Sequence, residues 1–70
     1  MKNTIRIERA IHDMTQQDLA QKIGVSRQTI NAMESNKYVP STVLALKIAK
    51  LFQKRVEDIF ILETDDWIKN

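Results

Sequence analysis

The chain has 70 residues, no cysteine, one histidine and a net charge of +2. That length makes a single domain over residues 1–70 with a modest core. Without cysteine there is no disulfide or thiolate site, and His12 alone makes no zinc or iron centre, so neither metal nor cofactor is expected. No apolar stretch reaches the ~20 residues that span a bilayer. Lys2 is followed by polar alternation rather than an apolar block, so the expected setting is the cytoplasm with no membrane partner.

Thr4-Ile5-Arg6-Ile7 alternates polar and apolar, which suits a short strand or an extended lead-in. Ile7, Ala10, Ile11 and Met14 then fall at helical spacing, predicting a first helix from Ile5 or Arg6 to Asp13. Thr15 reads as an N-cap, with Asp18 placed to return a hydrogen bond. Leu19, Ala20 and Ile23 form the inner face of a second helix. Gly24 ends it where a positive φ is wanted. Ser26 caps a third helix with Ile30 and Met33 inward. A loop over Asn36-Lys37-Tyr38-Val39-Pro40 leads to Ser41, the cap of a fourth helix. That helix is apolar nearly all round, so it is expected to be central and buried. Glu57 and Asp58 suit the first turn of a short fifth helix. The run Ile59-Phe60-Ile61-Leu62 either finishes that helix or starts a strand that Ile5 and Ile7 could pair with. The expectation is an all-α, five-helix domain, with room for a two-stranded β-sheet from the two terminal segments.

The informative segment is residues 16–35. Ala20 is small where the next helix crosses close above it. Gly24 lets the chain reverse tightly. Leu19, Ile23, Val25, Ile30 and Met33 point inward and lock two helices together as a helix-turn-helix unit, whose second helix fits the major groove. The outer face of that helix carries Arg27, Gln28, Asn31 and Ser35. Arg suits guanine, and Gln or Asn suits adenine. A face made only for solubility mixes in Glu and Lys. Charge supports a polyanion partner. Residues 1–55 carry ten Lys/Arg against four acids, a balance of +6. Residues 56–70 carry five acids against Lys69, a balance of −4. The acidic tail, residues 63–70, then faces away from the polyanion.

The words Thr15-Gln16-Gln17-Asp18-Leu19-Ala20, Ile23-Gly24-Val25-Ser26-Arg27-Gln28-Thr29-Ile30-Asn31, Glu34-Ser35-Asn36-Lys37-Tyr38-Val39-Pro40-Ser41 and Val56-Glu57-Asp58-Ile59-Phe60 carry a resemblance. Over residues 14–60 the chain resembles the Cro/lambda-repressor-like, or XRE, family. It is most similar to the small stand-alone regulators of the cytolysin-operon repressor type. The resemblance implies a five-helix lambda-repressor-like domain with short added strands, working as a homodimer on double-stranded DNA. It implies base contacts by Arg27, Gln28 and Asn31. It implies phosphate contacts by Thr29, Asn36, Lys37 and Tyr38, while Gln16 contacts phosphate or braces Gln28. It also implies a structural ion pair between Arg9 and Glu34. The chain departs from the pattern at Gln53-Lys54-Arg55, where relatives put glycine first and a small cap third. Gln53 then either adopts a left-handed conformation or lets the fourth helix run longer.

Two features stay open at this level. Residues 59–62 either close the monomer's own core or lie across a two-fold axis. The second option makes Ile59, Ile61, Leu62 and Trp67 a dimer interface. Trp67 either packs over that seam or anchors the tail to its own subunit. The functional expectation is a sequence-specific transcriptional regulator, a repressor on a two-fold symmetric operator. The alternative is an antitoxin-like interaction module that holds a basic protein through the acidic tail. No nucleophile, base or metal set for an enzyme is present.

Overall fold

A computed structural model describes residues 1–68. Along the chain it has β1 (Lys2–Asn3), α1 (Ile5–Ile11), α2 (Gln16–Ile23), α3 (Arg27–Glu34), α4 (Thr42–Phe52), α5 (Val56–Ile59) and β2 (Phe60–Ile61). One 3-10 turn over Thr64–Trp67 follows. The strands pair antiparallel, Lys2 with Ile61 and Asn3 with Phe60. The fold is thus the expected five helices with a two-stranded sheet. The strand sits two residues before the Thr4–Ile7 alternation, since Ile5 is already helical.

Local chemistry sets most boundaries. The Thr15 hydroxyl accepts from the Asp18 N–H and the Asp18 carboxylate accepts from the Thr15 N–H, both at 3.0 Å. Gly24 stops α2 at φ 79°. A Cβ there would meet nothing within 4 Å, so glycine serves the backbone angle rather than space. Ser26 and Ser41 accept from the N–H groups of Thr29 and Leu44, each at 3.2 Å. Each such cap is worth about 1 kcal/mol. At the end of α4, Gln53 takes the left-handed conformation, φ 56° and ψ 43°. Helix four therefore stops where relatives place glycine, but with a residue that has a Cβ.

The core is Ile5, Leu19, Ala20, Ile23, Ile30, Met33, Leu44, Ile48, Ala49, Phe52, Ile59 and Phe60. Two helices depart from expectation, α1 by rotation and α4 by being buried on one side only. In α1, Ile7 and Ile11 lie outside, and Ile5 and Glu8 lie inside. The cause is polar. Glu8 is held by Lys54 at 2.8 Å and Arg9 by Glu34 at 2.6 Å. At about 100° per residue, turning residues 8 and 9 inward turns 7 and 11 outward. In α4, Leu44, Ile48, Ala49 and Phe52 are buried, but Val43 and Leu46 share an exposed face with Lys47 and Lys50. An apolar sequence all round the helix does not mean burial all round it.

The C-terminal run divides as well. Ile59 is fully buried inside its own subunit, so its side chain offers nothing to a second copy, contrary to the interface expectation. Ile61, Leu62 and Trp67 are exposed, Trp67 at 74%. The tryptophan therefore does not anchor the tail. That task falls to the Met1 ammonium, 3.0 Å from both Glu63 and Asp66. Lys69 and Asn70, the last residues of the acidic tail, lie outside the described residues.

Candidate nucleic-acid interface

Helix α3 is held from behind and bare in front. Ile30 and Met33 are buried against Leu19, Ala20 and Ile23 of α2, with Val25 packed at the turn. Arg27, Gln28, Asn31 and Ser35 are exposed. On an ideal helix they fall within about 100° of its circumference. Among the described residues, the side chains of Arg27 and Gln28 make no hydrogen bond or ion pair. Ser35 is spent locally, its hydroxyl donating to the Asn31 carbonyl at 2.9 Å.

Beneath this face lies a buried carboxylate. The Glu34 side chain is 1% exposed. It accepts from Arg9 Nε at 2.6 Å and from Arg9 Nη2 at 3.0 Å, a two-point fork that ties α1 to the end of α3. Arg6 Nε lies at 3.5 Å and Gln16 Nε2 at 3.1 Å. Burial pushes the Glu34 carboxyl up, but the hydrogen bonds from Arg9 and Gln16 outweigh it and hold the group below the ordinary glutamate range. The Arg9 guanidinium is correspondingly raised by its bond to Glu34. Arg9 also donates to the Met14 carbonyl at 3.0 Å, which fixes the turn that launches α2.

Gln16 stands where α2 begins, and its partners differ from the sequence expectation. Its amide reaches Asn31 Oδ1 at 3.3 Å and Glu34 Oε1 at 3.1 Å. It therefore braces Asn31, not Gln28. Thr29 is half-buried, and its hydroxyl shares a 3.0 Å hydrogen bond with that of Ser26. Asn36, Lys37 and Tyr38 are exposed in the loop after α3. Asn36 has φ 61°. The Lys37 N–H donates to the Ala32 carbonyl at 2.8 Å, which sets the loop back onto the helix.

One contributor had no signal in the sequence. Asn3 donates to the Met33 carbonyl at 2.8 Å and to Asn36 Oδ1 at 3.2 Å, and accepts from the Ile5 N–H. It stitches the sheet to the loop beside α3. Its partners are about thirty residues away, so no local pattern marks it. Among the described residues there is no cluster of potential metal ligands. No helix there is long and apolar enough to cross a membrane.

A capped helix, a left-handed glycine turn and a second helix presenting an exposed Arg/Gln/Asn face together define a helix-turn-helix DNA-binding domain. The helix-turn-helix family profile matches residues 5–59. An uncharacterised HTH-type transcriptional regulator of Methanocaldococcus jannaschii is 59% identical over 66 residues, covering 94% of this chain and all of the relative. One from Archaeoglobus fulgidus is 48% identical, covering 94% of each chain. The uncharacterised HTH-type regulator YgzD of Bacillus subtilis is 46% identical over 94% of this chain and its own full length. The chain belongs to the XRE-type helix-turn-helix family and is a DNA-binding transcription regulator rather than an enzyme.

Proposed function

We propose that the protein is a homodimeric repressor that binds a two-fold symmetric operator in the cytoplasm. Arg27, Gln28 and Asn31 read base edges. Lys37, with Asn36, Tyr38 and Thr29, grips phosphate beside them, while Gln16, whose amide hydrogens go to Glu34 and Asn31, braces the reading face instead. The observation that carries the reading is the α3 face, rigid behind, exposed in front, and with Arg27 and Gln28 unpaired among the described residues. Phosphate contacts give salt-dependent affinity, and the base contacts give preference.

One feature supports the dimer. Ile61, Leu62 and Trp67 leave apolar surface bare near the C-terminus. A basic protein partner for the tail is less well supported, because Glu63 and Asp66 already face the Met1 ammonium. Repression follows from covering promoter DNA that polymerase needs.

Selection of bound duplexes from a random pool tests this. The expected result is a two-fold symmetric consensus with half-sites about one helical turn apart. Gln28→Ala should then lose affinity for the selected operator and not for random duplex. Lys37→Ala should weaken both alike and lower the salt slope by about one. Equal losses for Gln28→Ala on both duplexes remove it from base readout. No enrichment at all overturns the reading. In vitro transcription across the selected site should fall as protein is added.

A further inference from the structure

We propose that Gln16 is a positioning residue that fixes the polarity of the Asn31 amide, so that Asn31 meets the groove as a hydrogen-bond donor and selects guanine. The inference rests on the DNA-reading proposal above and goes on to name the base class.

The argument starts at Glu34. Paired with Arg9, it is a carboxylate and can only accept hydrogen bonds. The Gln16 atom 3.1 Å from it must therefore be the amide nitrogen. That nitrogen has a second hydrogen. The group it reaches at 3.3 Å on Asn31 must then be an acceptor, the side-chain oxygen. The Asn31 NH2 group is left to point away from Gln16. A buried charge thus sets the orientation of two amides in series, and the second is on the exposed reading face.

The consequence is chemical. Asparagine pairs with adenine by accepting from N6 and donating to N7 together. Here the oxygen is turned back toward Gln16. What faces outward is two N–H donors on one nitrogen. Guanine presents two adjacent acceptors, N7 and O6, to such a donor. Cytosine presents a donor and is disfavoured. Without the brace, the Asn31 amide can flip and take either purine.

The test uses the full chain and the selected operator. Asn31→Ala locates the base pair that Asn31 reads, as the one position whose preference is lost. At that position wild type should favour guanine over adenine about tenfold or more. Gln16→Met should bring that ratio down to within about twofold while leaving the preferences at other positions intact. Gln16→Lys keeps a donor between Glu34 and Asn31 and should keep the guanine preference, whatever it does to overall affinity. A purely structural role for Gln16 would instead weaken all sequences alike and leave the ratio untouched. Melting curves check that each variant is folded. Selection of adenine by wild type overturns the proposal, as does an unchanged ratio in Gln16→Met. A consensus that survives Asn31→Ala at every position removes Asn31 from base reading. The absence of any consensus overturns the DNA reading beneath both.

Discussion

The two ends of the molecule are held by different means. From α1 through α3, each turn has its own local device, a reciprocal Thr15–Asp18 cap, a left-handed Gly24 and a Ser26 cap, and the buried Arg9–Glu34 fork ties the unit together over long range. From residue 53 onward the α4–α5 junction lacks such devices. Gln53 adopts a left-handed angle without being glycine. Arg55 precedes α5 without a side-chain cap. The tail is held by a two-residue strand, a reciprocal Glu63–Asp66 cap and the Met1 ammonium. The comparison teaches that the tightest side-chain constraints surround the exposed α3 face proposed to read DNA. The C-terminal region instead carries exposed apolar groups.

The largest effect expected is at the centre of the first region. Glu34→Ala leaves the Arg9 guanidinium, whose side chain is only 14% exposed, without its carboxylate. Removing one member of a buried pair costs about 3–5 kcal/mol. Because Arg9 retains a little solvent, the lower end is expected, read as a fall in the urea midpoint. A loss under about 1 kcal/mol would place this pair with ordinary surface bridges. The same pair sets a pH dependence. The Glu34 carboxyl is held below its ordinary range when folded. The unfolded chain therefore binds its proton first as pH falls. The contribution is complete at neutral pH and lost as pH drops below the ordinary glutamate range. Glu34→Gln should flatten that acid limb of the stability curve. An unchanged limb would assign acid unfolding to other carboxylates.

The same contrast explains what the sequence reveals. Caps, the glycine turn and the Arg/Gln/Asn face depend on residues a few positions apart, so they are legible by eye. The rotation of α1 is not, because it is set by Glu8 and Arg9 finding Lys54 and Glu34 far along the chain. Periodicity suggested the face with Ile7 and Ile11, whereas the opposite one is buried, with Ile5 and the Glu8 and Arg9 ion pairs. The same holds for Gln16. Its place at the start of α2 is plain from sequence, but its choice of Asn31 over Gln28 needs the packed angle between α2 and α3. In α4 the apolar composition hides which side is buried.

Ile59 and Leu62 sharpen the comparison inside the C-terminal region. They are three residues apart in one apolar run, yet Ile59 is fully buried and Leu62 is 58% exposed. Ile59→Ala should cost about 3 kcal/mol through lost burial and a residual cavity. Leu62→Ala should change the stability of a single subunit by less than about 0.5 kcal/mol. If Leu62 lies on the dimer seam, its loss appears instead as a raised dissociation constant in sedimentation equilibrium. Similar stability losses for the two would show that the run acts as one core segment and has no outward half.

The smallest effect tests whether the looser region stores strain. At Gln53 the chain reverses through hydrogen bonds from its own N–H to Lys50 and from Lys54 to Ala49, at 3.1 and 3.0 Å. The geometry is that of a glycine C-cap, and a Cβ there costs about 1–2 kcal/mol. Gln53→Gly removes that cost, while freeing the unfolded chain returns roughly 0.5–1 kcal/mol of it. The net gain expected is about 0.5–1 kcal/mol, near 3–6 °C in melting temperature for a domain of this size. Asp13, at φ 54°, is the internal control. Aspartate tolerates the left-handed region better than glutamine, so Asp13→Gly should gain less. A destabilised Gln53→Gly would mean that the glutamine side chain supports the α4–α5 junction more than its backbone angle strains it. A stabilised variant with unchanged operator affinity would separate the two regions functionally. The strain would then lie outside the reading head, where its relief leaves the positions of Arg27, Gln28 and Asn31 untouched.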